Sequence, residues 1–347
     1  MNTTPTTPYN STFPSTSTLQ QADHTATTDI HIPIAGFKEV YDVKAVERAL
    51  GELPASASEG LRHTYEKMIK LGGTRFIVKP SHVPDMTALY HDLPNFSEVL
   101  NDVCKQIVLC SETNDPLEIT PMLLLGDPGI GKTHFAKRLS ALLGTHYGFV
   151  GMSSVTAGWI LSGSSSQWKN AKPGKVFETL VYSDYANPVM VIDEIDKAAN
   201  DGQYDPLGAL YSLLEYDTAK EFADEYAEVP IDARDVIWVA TANDVRHIPD
   251  PILNRMNVYN IERPDYAAAC NIAAGIYTEI RNAHQWGSKF PDHMHIDTLD
   301  KLAGVCPREM RRLIMNGFGT ARMNQRYELL ADDIQTEKNA QKRRIGF

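Results

Sequence analysis

Apolar positions run along this chain in two different rhythms. Pro121–Leu125 (PMLLL), Val189–Ile192 and Val236–Ala240 are short, unbroken apolar runs, the pattern of strands buried on both faces inside a sheet. Apolar residues at helical spacing mark Phe96–Leu109 ahead of the first run and His134–Leu143 behind it. Strands that need cover on both faces, alternating with amphipathic helices, predict an α/β fold, a parallel sheet with helices on both faces. After Pro264 the rhythm changes. Ala267–Asn282, Ile296–Ala303 and Arg308–Ala321 carry helical spacing with no strand between them, so a small all-α domain is expected to follow the sheet. Upstream, Val43–Leu50 and Glu59–Leu71 read as helices, and Arg75–Val78 as a short strand ended by Pro80.

These changes of rhythm predict five stretches: a polar tail over 1–30, a small α/β region of unassigned role over 31–95, the sheet domain over 96–262, the helical domain over 263–335 and a C-terminal tail over 336–347. The first of them holds ten threonines, with Asp23 and Asp29 as its only charges. Such a segment buries too little apolar surface to offset its ordering entropy and is expected to be disordered.

Composition narrows the function. The 347 residues leave room for two packed domains. The formal charge of -11, from 33 basic and 44 acidic residues, argues against wholesale binding to nucleic acid or an anionic membrane. Cys104, Cys110, Cys270 and Cys306 form no CxxC pair and are expected to be reduced thiols. No apolar run approaches the ~20 residues of a membrane helix, and the N-terminus lacks the basic start and apolar stretch of a secretory signal. A cytoplasmic protein is expected, without a membrane partner.

Candidate chemistry begins where the first strand ends. Gly126-Asp127-Pro128-Gly129-Ile130-Gly131-Lys132-Thr133 fits G-x-x-x-x-G-K-[ST] between an apolar strand and a helix led by His134, the context of a P-loop. Glycines let backbone N–H groups curl around phosphates, and the helix N-terminus adds its positive dipole end. Lys132 is expected to reach the β- and γ-phosphates of ATP, and the Thr133 hydroxyl to ligate Mg²⁺. Asp193 and Glu194 close the second strand; Asp193 suits the Mg²⁺ shell and Glu194 the polarisation of an attacking water. The third strand runs into Thr241-Ala242-Asn243, where the Asn243 amide can hold water and γ-phosphate together. His293 and His295 beside Asp292 read as solvent-exposed residues of a polar linker rather than a metal site.

Together these residues resemble the AAA+ module, and within it the ATPase part of Lon protease. The resemblance runs from about Pro94 to about Ile334 and is most specific over 222–258, FADEYAEVPIDARDVIWVATANDVRHIPDPILNRMNV. It implies a P-loop large domain, a helical lid and a ring, with a hexamer expected. Arg255 in PILNRM matches the arginine finger that completes a neighbouring subunit's site. Arg308, in Cys306-Pro307-Arg308, stands where the sensor-2 arginine is expected, with Arg311 and Arg312 as alternatives. Trp168 and Lys169 fall where the pore loop that grips polypeptide precedes Pro173-Gly174-Lys175; Lys169 departs from the aliphatic residue usual there. The chain ends at Phe347, soon after the lid, so no Lon-type protease domain is expected on it.

The leading expectation is therefore an ATP- and Mg²⁺-dependent ring motor acting on a protein client. A nucleic-acid-associated loader or mobile-element helper is the second reading, carried by the Pro307-Arg308 pair and the lysines around Trp168, with the acidic charge against it. An assembly switch for a separate effector is the third.

Overall fold

A computed structural model describes residues 34–154, 158–198 and 205–336. The polar tail and the last eleven positions lie outside the described residues. Nine strands occur among the described residues: β1 (Ile34–Glu39), β2 (Thr74–Lys79), β3 (Met122–Leu125), β4 (Tyr147–Gly151), β5 (Val189–Asp193), β6 (Phe222–Ala223), β7 (Pro230–Ile231), β8 (Ile237–Ala242) and β9 (Asn257–Asn260). Five of them make one parallel sheet in the order β4-β5-β8-β3-β9. β1 pairs antiparallel with β2, and β6 with β7.

The three unbroken apolar runs are the three interior strands. Alternate side chains go to opposite faces. Leu123, Met190, Ile192, Trp238 and Ala240 enter one core; Met122, Leu124, Val189, Val191, Ile237 and Val239 enter the other. Helices Ser97–Ser111 and Lys132–Leu143 cover the second face through Val99, Val103, Ile107, Phe135 and Leu139. Helices Val43–Glu52, Glu59–Leu71 and Lys175–Tyr182 contribute Val46, Leu61, Tyr65, Met68, Phe177 and Leu180 to the first. The segment before residue 95 thus shares a core with the sheet.

Two strands of the sheet, β4 and β9, are absent from the sequence reading. Both are edges, where one side of the ladder and part of each face meet solvent. Their polar and glycine positions (YGFVG and NVYN) interrupt any apolar run, and Phe149 and Val258 stay exposed. β1 escaped for the same reason: Phe37 is 75% exposed.

After β9 the chain is helical, as the period-3.6 pattern predicts: Tyr266–Ala283, Ile296–Ala303 and Pro307–Met323. The Asp265 carboxylate caps the first by accepting the Ala268 N–H at 2.8 Å. Pro307 opens the last at the position where its missing N–H costs nothing. These helices close a third core in which Phe318 meets Tyr277 at 5.1 Å and Phe290 at 4.7 Å between ring centroids. Among the described residues no helix is long and apolar enough to cross a membrane.

One buried charge ties the layers together. Lys79, at the end of β2, donates from Nζ to the carbonyls of Cys110, Thr113 and Asp115 at 2.7, 2.6 and 2.7 Å. Those acceptors lie at and beyond the end of helix Ser97–Ser111, where carbonyls lack helical partners. Lys79→Met keeps the stem and strands the carbonyls, so it is expected to lower stability by ~1–3 kcal/mol. Urea denaturation of the two proteins measures this.

Candidate nucleotide-binding site

The loop after β3 is shaped by its glycines. Gly129 and Gly131 sit at φ 82° and 106°, left-handed backbone that only glycine adopts freely. Gly126 is fixed for another reason: a Cβ there would lie 2.3 Å from the Ile261 carbonyl oxygen. Gly131 then leads directly into the twelve-residue helix Lys132–Leu143, so the unpaired N–H groups of its first turn border the loop, as an anion site requires.

Lys132 is 8% exposed. Its Nζ donates to the carbonyls of Gly126 and Asp127 and, at 3.0 Å, to Asn243 Oδ1. Burial pushes its pKa down, while Asp196, Asp193, Asp127 and Glu194 oppose that. Asp193 ends β5, and its Oδ1 accepts the Thr133 and Thr241 hydroxyls, each at 2.8 Å. Thr241 also accepts the Glu194 N–H at 2.9 Å. That contact helps hold Glu194 in a left-handed conformation (φ 56°, ψ 49°), costly for a residue with a Cβ, with Glu194 lining the cleft. A carboxylate and a hydroxyl side by side are hard oxygen donors, a set suited to Mg²⁺ that keeps several of its waters.

The P-loop is the floor of a cleft of about 880 Å³. Pro128, Gly129, Ile130, Gly131, Lys132, Thr133, His134, Asp193, Glu194, Asn243 and Arg308 all line it. Asp127 points outward, where its carboxylate accepts from Arg263 Nε at 2.7 Å. Desolvation first, then the Arg138 guanidinium, holds the His134 imidazole below its ordinary pKa. Two walls rise from it: His91, Asp92, Leu93 and Asn95, which precede helix Ser97–Ser111, and Ile272, Gly275, Ile276 and Glu279 of helix Tyr266–Ala283. Neither wall figures in the sequence reading, although Ile272, Ile276 and Glu279 follow i, i+4, i+7 spacing along one helix face. Thr241 also went unassigned.

The lid reaches the floor through backbone. The Arg308 N–H donates to the Gly129 carbonyl at 3.3 Å. Arg311 also lines the cleft, forked onto Glu279 at 2.9 and 3.1 Å, whereas Arg312 pairs with Glu309 and stays outside. Arg255 is not among the lining residues. Its Nε pairs with Glu215 at 2.6 Å and its Nη1 donates to the Pro251 carbonyl.

Trp168 and Lys169 lie elsewhere, on a loop whose neck is tied to the hairpin β6–β7. Asp224, fully buried, accepts the N–H groups of Gly174, Tyr226 and Ala227 at 2.8, 2.9 and 3.3 Å. Burial raises its pKa from 3.8 to about 6 against the pull of those donors. A folded-state pKa raised above the unfolded value means the associated stability is full below about pH 4 and lost as pH rises through 6. The loss is about 3 kcal/mol, at ~1.4 kcal/mol per unit. Asp224→Asn is expected to be less stable than the parent, with a deficit that narrows between pH 4 and 7; urea titrations of both proteins across that range measure it.

Comparison with known proteins places this geometry. Residues 122–262 match the family model of the ATPase family associated with various cellular activities (AAA). The chain is 39% identical over 145 residues to a peroxisomal Lon protease homolog 2 of Spinacia oleracea, covering 42% of this chain and 16% of that protein. It is 30% identical over 245 residues to the Lon protease of Bacillus thuringiensis, covering 67% of this chain and 28% of that one. The chain therefore spans less than a third of the length of these relatives. Among solved structures, the S. cerevisiae Hsp104:casein complex superposes with a TM-score of 0.57 at 18% identity, over 74% of this chain and 49% of that one, a likeness of fold.

Proposed function

Because this chain carries an AAA+ ATPase module similar to that of Lon proteases, we propose that it is a cytoplasmic ring motor that hydrolyses ATP with Mg²⁺ to remodel or unfold a protein client. The observation that carries this reading is the joining of three strand ends at one P-loop. Thr133 and Thr241 converge on Asp193, Lys132 bonds Asn243, and Glu194 borders the same cleft. In this reading Lys132 holds the β- and γ-phosphates, and Thr133 with Asp193 holds Mg²⁺. The metal supplies charge neutralisation at the phosphates. Glu194 takes the proton of the attacking water, and Asn243 fixes that water against the γ-phosphate. Pro128 to His134 embrace the phosphates from the loop, Asp127 contributes backbone alone while its carboxylate stays on Arg263, and Arg308 closes the site from the lid.

Arg255 acts on the neighbouring subunit's nucleotide, so a site is complete only at a junction between subunits, six in a hexamer. The test is ATP turnover per subunit across a wide range of protein concentration. A rate rising steeply with concentration is expected. A rate independent of concentration would refute sites shared between subunits, and the ring with them.

A further inference from the structure

We propose that the Asn95 side chain selects the base of the nucleotide, its amide oxygen accepting a hydrogen bond from the 6-amino group of adenine. This rests on the ATP-dependent reading above and supplies what the P-loop lacks. The loop reads phosphates, and ATP and GTP share those.

The starting point is an acceptor without a donor. Asn95 lines the nucleotide cleft, and its Oδ1, recessed from water, has no hydrogen-bond partner among the described residues. Such an oxygen carries a desolvation cost that a donor ordinarily removes. The other end of the amide fixes its orientation. Nδ2 donates to two backbone carbonyls, that of Ile130 in the P-loop at 3.5 Å and that of Glu262 beyond β9 at 3.3 Å. Both hydrogens of the NH2 group are thereby used. Turning the amide over would set its oxygen against both carbonyls, so the oxygen is held on the opposite side and can only accept.

The surroundings suit a purine. Leu93 lies two positions before Asn95, and Ile272, Gly275 and Ile276 stand on the lid helix. Apolar walls fit the faces of a base, whereas Lys132, Thr133 and Asp193 fit the phosphates and their metal. The two carboxylates on these walls are already engaged, Asp92 by Arg138 at 3.0 Å and Glu279 by Arg311 at 2.9 Å. Adenine carries an amine at C6, where hypoxanthine and guanine carry a carbonyl oxygen. The amine completes Asn95; the carbonyl would set two acceptors against each other. Guanine could offer its amine at C2 only by leaving its own carbonyl among apolar side chains.

The acceptor is also fixed relative to the P-loop. The next residue, Phe96, is fully buried and stacks on Phe135 of the P-loop helix with ring centroids 4.9 Å apart. Little ordering of this wall is left for the nucleotide to accomplish.

The experiment measures equilibrium displacement of a ribose-labelled fluorescent ADP from the full chain by ADP, IDP and GDP. ADP is expected to bind roughly tenfold to a hundredfold more tightly than IDP, the scale of a buried acceptor left unsatisfied, with GDP as weak as IDP. In Asn95→Leu, near in size but without the acceptor, ADP is expected to fall to within a few-fold of IDP. Asn95→Ala repeats the comparison, and unfolding midpoints verify that each variant is folded. A side chain that only props the loop would weaken both nucleotides alike and preserve their ratio, so a ratio that survives in a folded variant overturns the proposal. Equal binding of ADP and IDP by the parent protein also overturns it and leaves the motor reading standing. GDP binding as tightly as ADP would mean that no amine at C6 is read, with the same consequence. Binding of none of the three overturns the motor reading as well.

Discussion

Replacing Glu194 by glutamine is expected to cut ATP turnover roughly 10²–10⁴-fold while nucleotide affinity stays within a few-fold of the parent, because a positioned general base contributes on that scale. Glutamine keeps the size and the backbone N–H to Thr241, so Asp193 and its two hydroxyl partners should be undisturbed. Only proton acceptance is removed. Single-turnover hydrolysis with equilibrium binding of the same nucleotide separates the two effects. Rapid turnover in the variant would take the base assignment away from Glu194. Loss of binding would instead mean that this residue holds the strained turn together, since its left-handed backbone is already costly.

Arg255→Ala is expected to lower turnover by roughly 10³-fold or more, the scale of a guanidinium delivered to a transferring phosphoryl group, with nucleotide binding nearly intact. Within one chain Arg255 is held away from the cleft by Glu215 and the Pro251 carbonyl. A loss of that size would therefore have to act on a second subunit. Mixing the two inactive variants discriminates further. A junction that pairs the intact Glu194 of one with the intact Arg255 of the other is complete, so turnover should reappear on mixing. No recovery would place the arginine outside a shared site.

The legible part of this fold is the part buried from both sides. β3, β5 and β8 have solvent on neither face, so their sequences are apolar runs, and the P-loop, Asp193, Glu194 and Asn243 could be placed at their ends. The edge strands β4 and β9 carry half-exposed patterns that no periodicity argument separates from loop. The same limit applies to the walls of the cleft. His91 to Asn95 have no signature of their own, and Ile272, Gly275 and Ile276 read as one more amphipathic stripe, because a face that lines a cavity needs the same apolar residues as a face that packs a core. The sensor-2 position is not fixed by sequence for a related reason: Arg308, Arg311 and Arg312 stand at i, i+3 and i+4 on one helix, and only the packing of that helix against Gly129 leaves Arg308 and Arg311 lining the cleft and Arg312 outside it.

The shared core at the front of the chain sets the smallest piece that can be cut out and remain itself. Val46, Leu61, Tyr65 and Met68 cover the sheet face that holds Trp238 and Ile192, and four residues just before helix Ser97–Ser111 close the nucleotide cleft. A fragment beginning at residue 97 would uncover part of one face of its own sheet and open its nucleotide site at once. In recombination, as in excision, the P-loop domain of this chain is inseparable from the sixty residues that precede it.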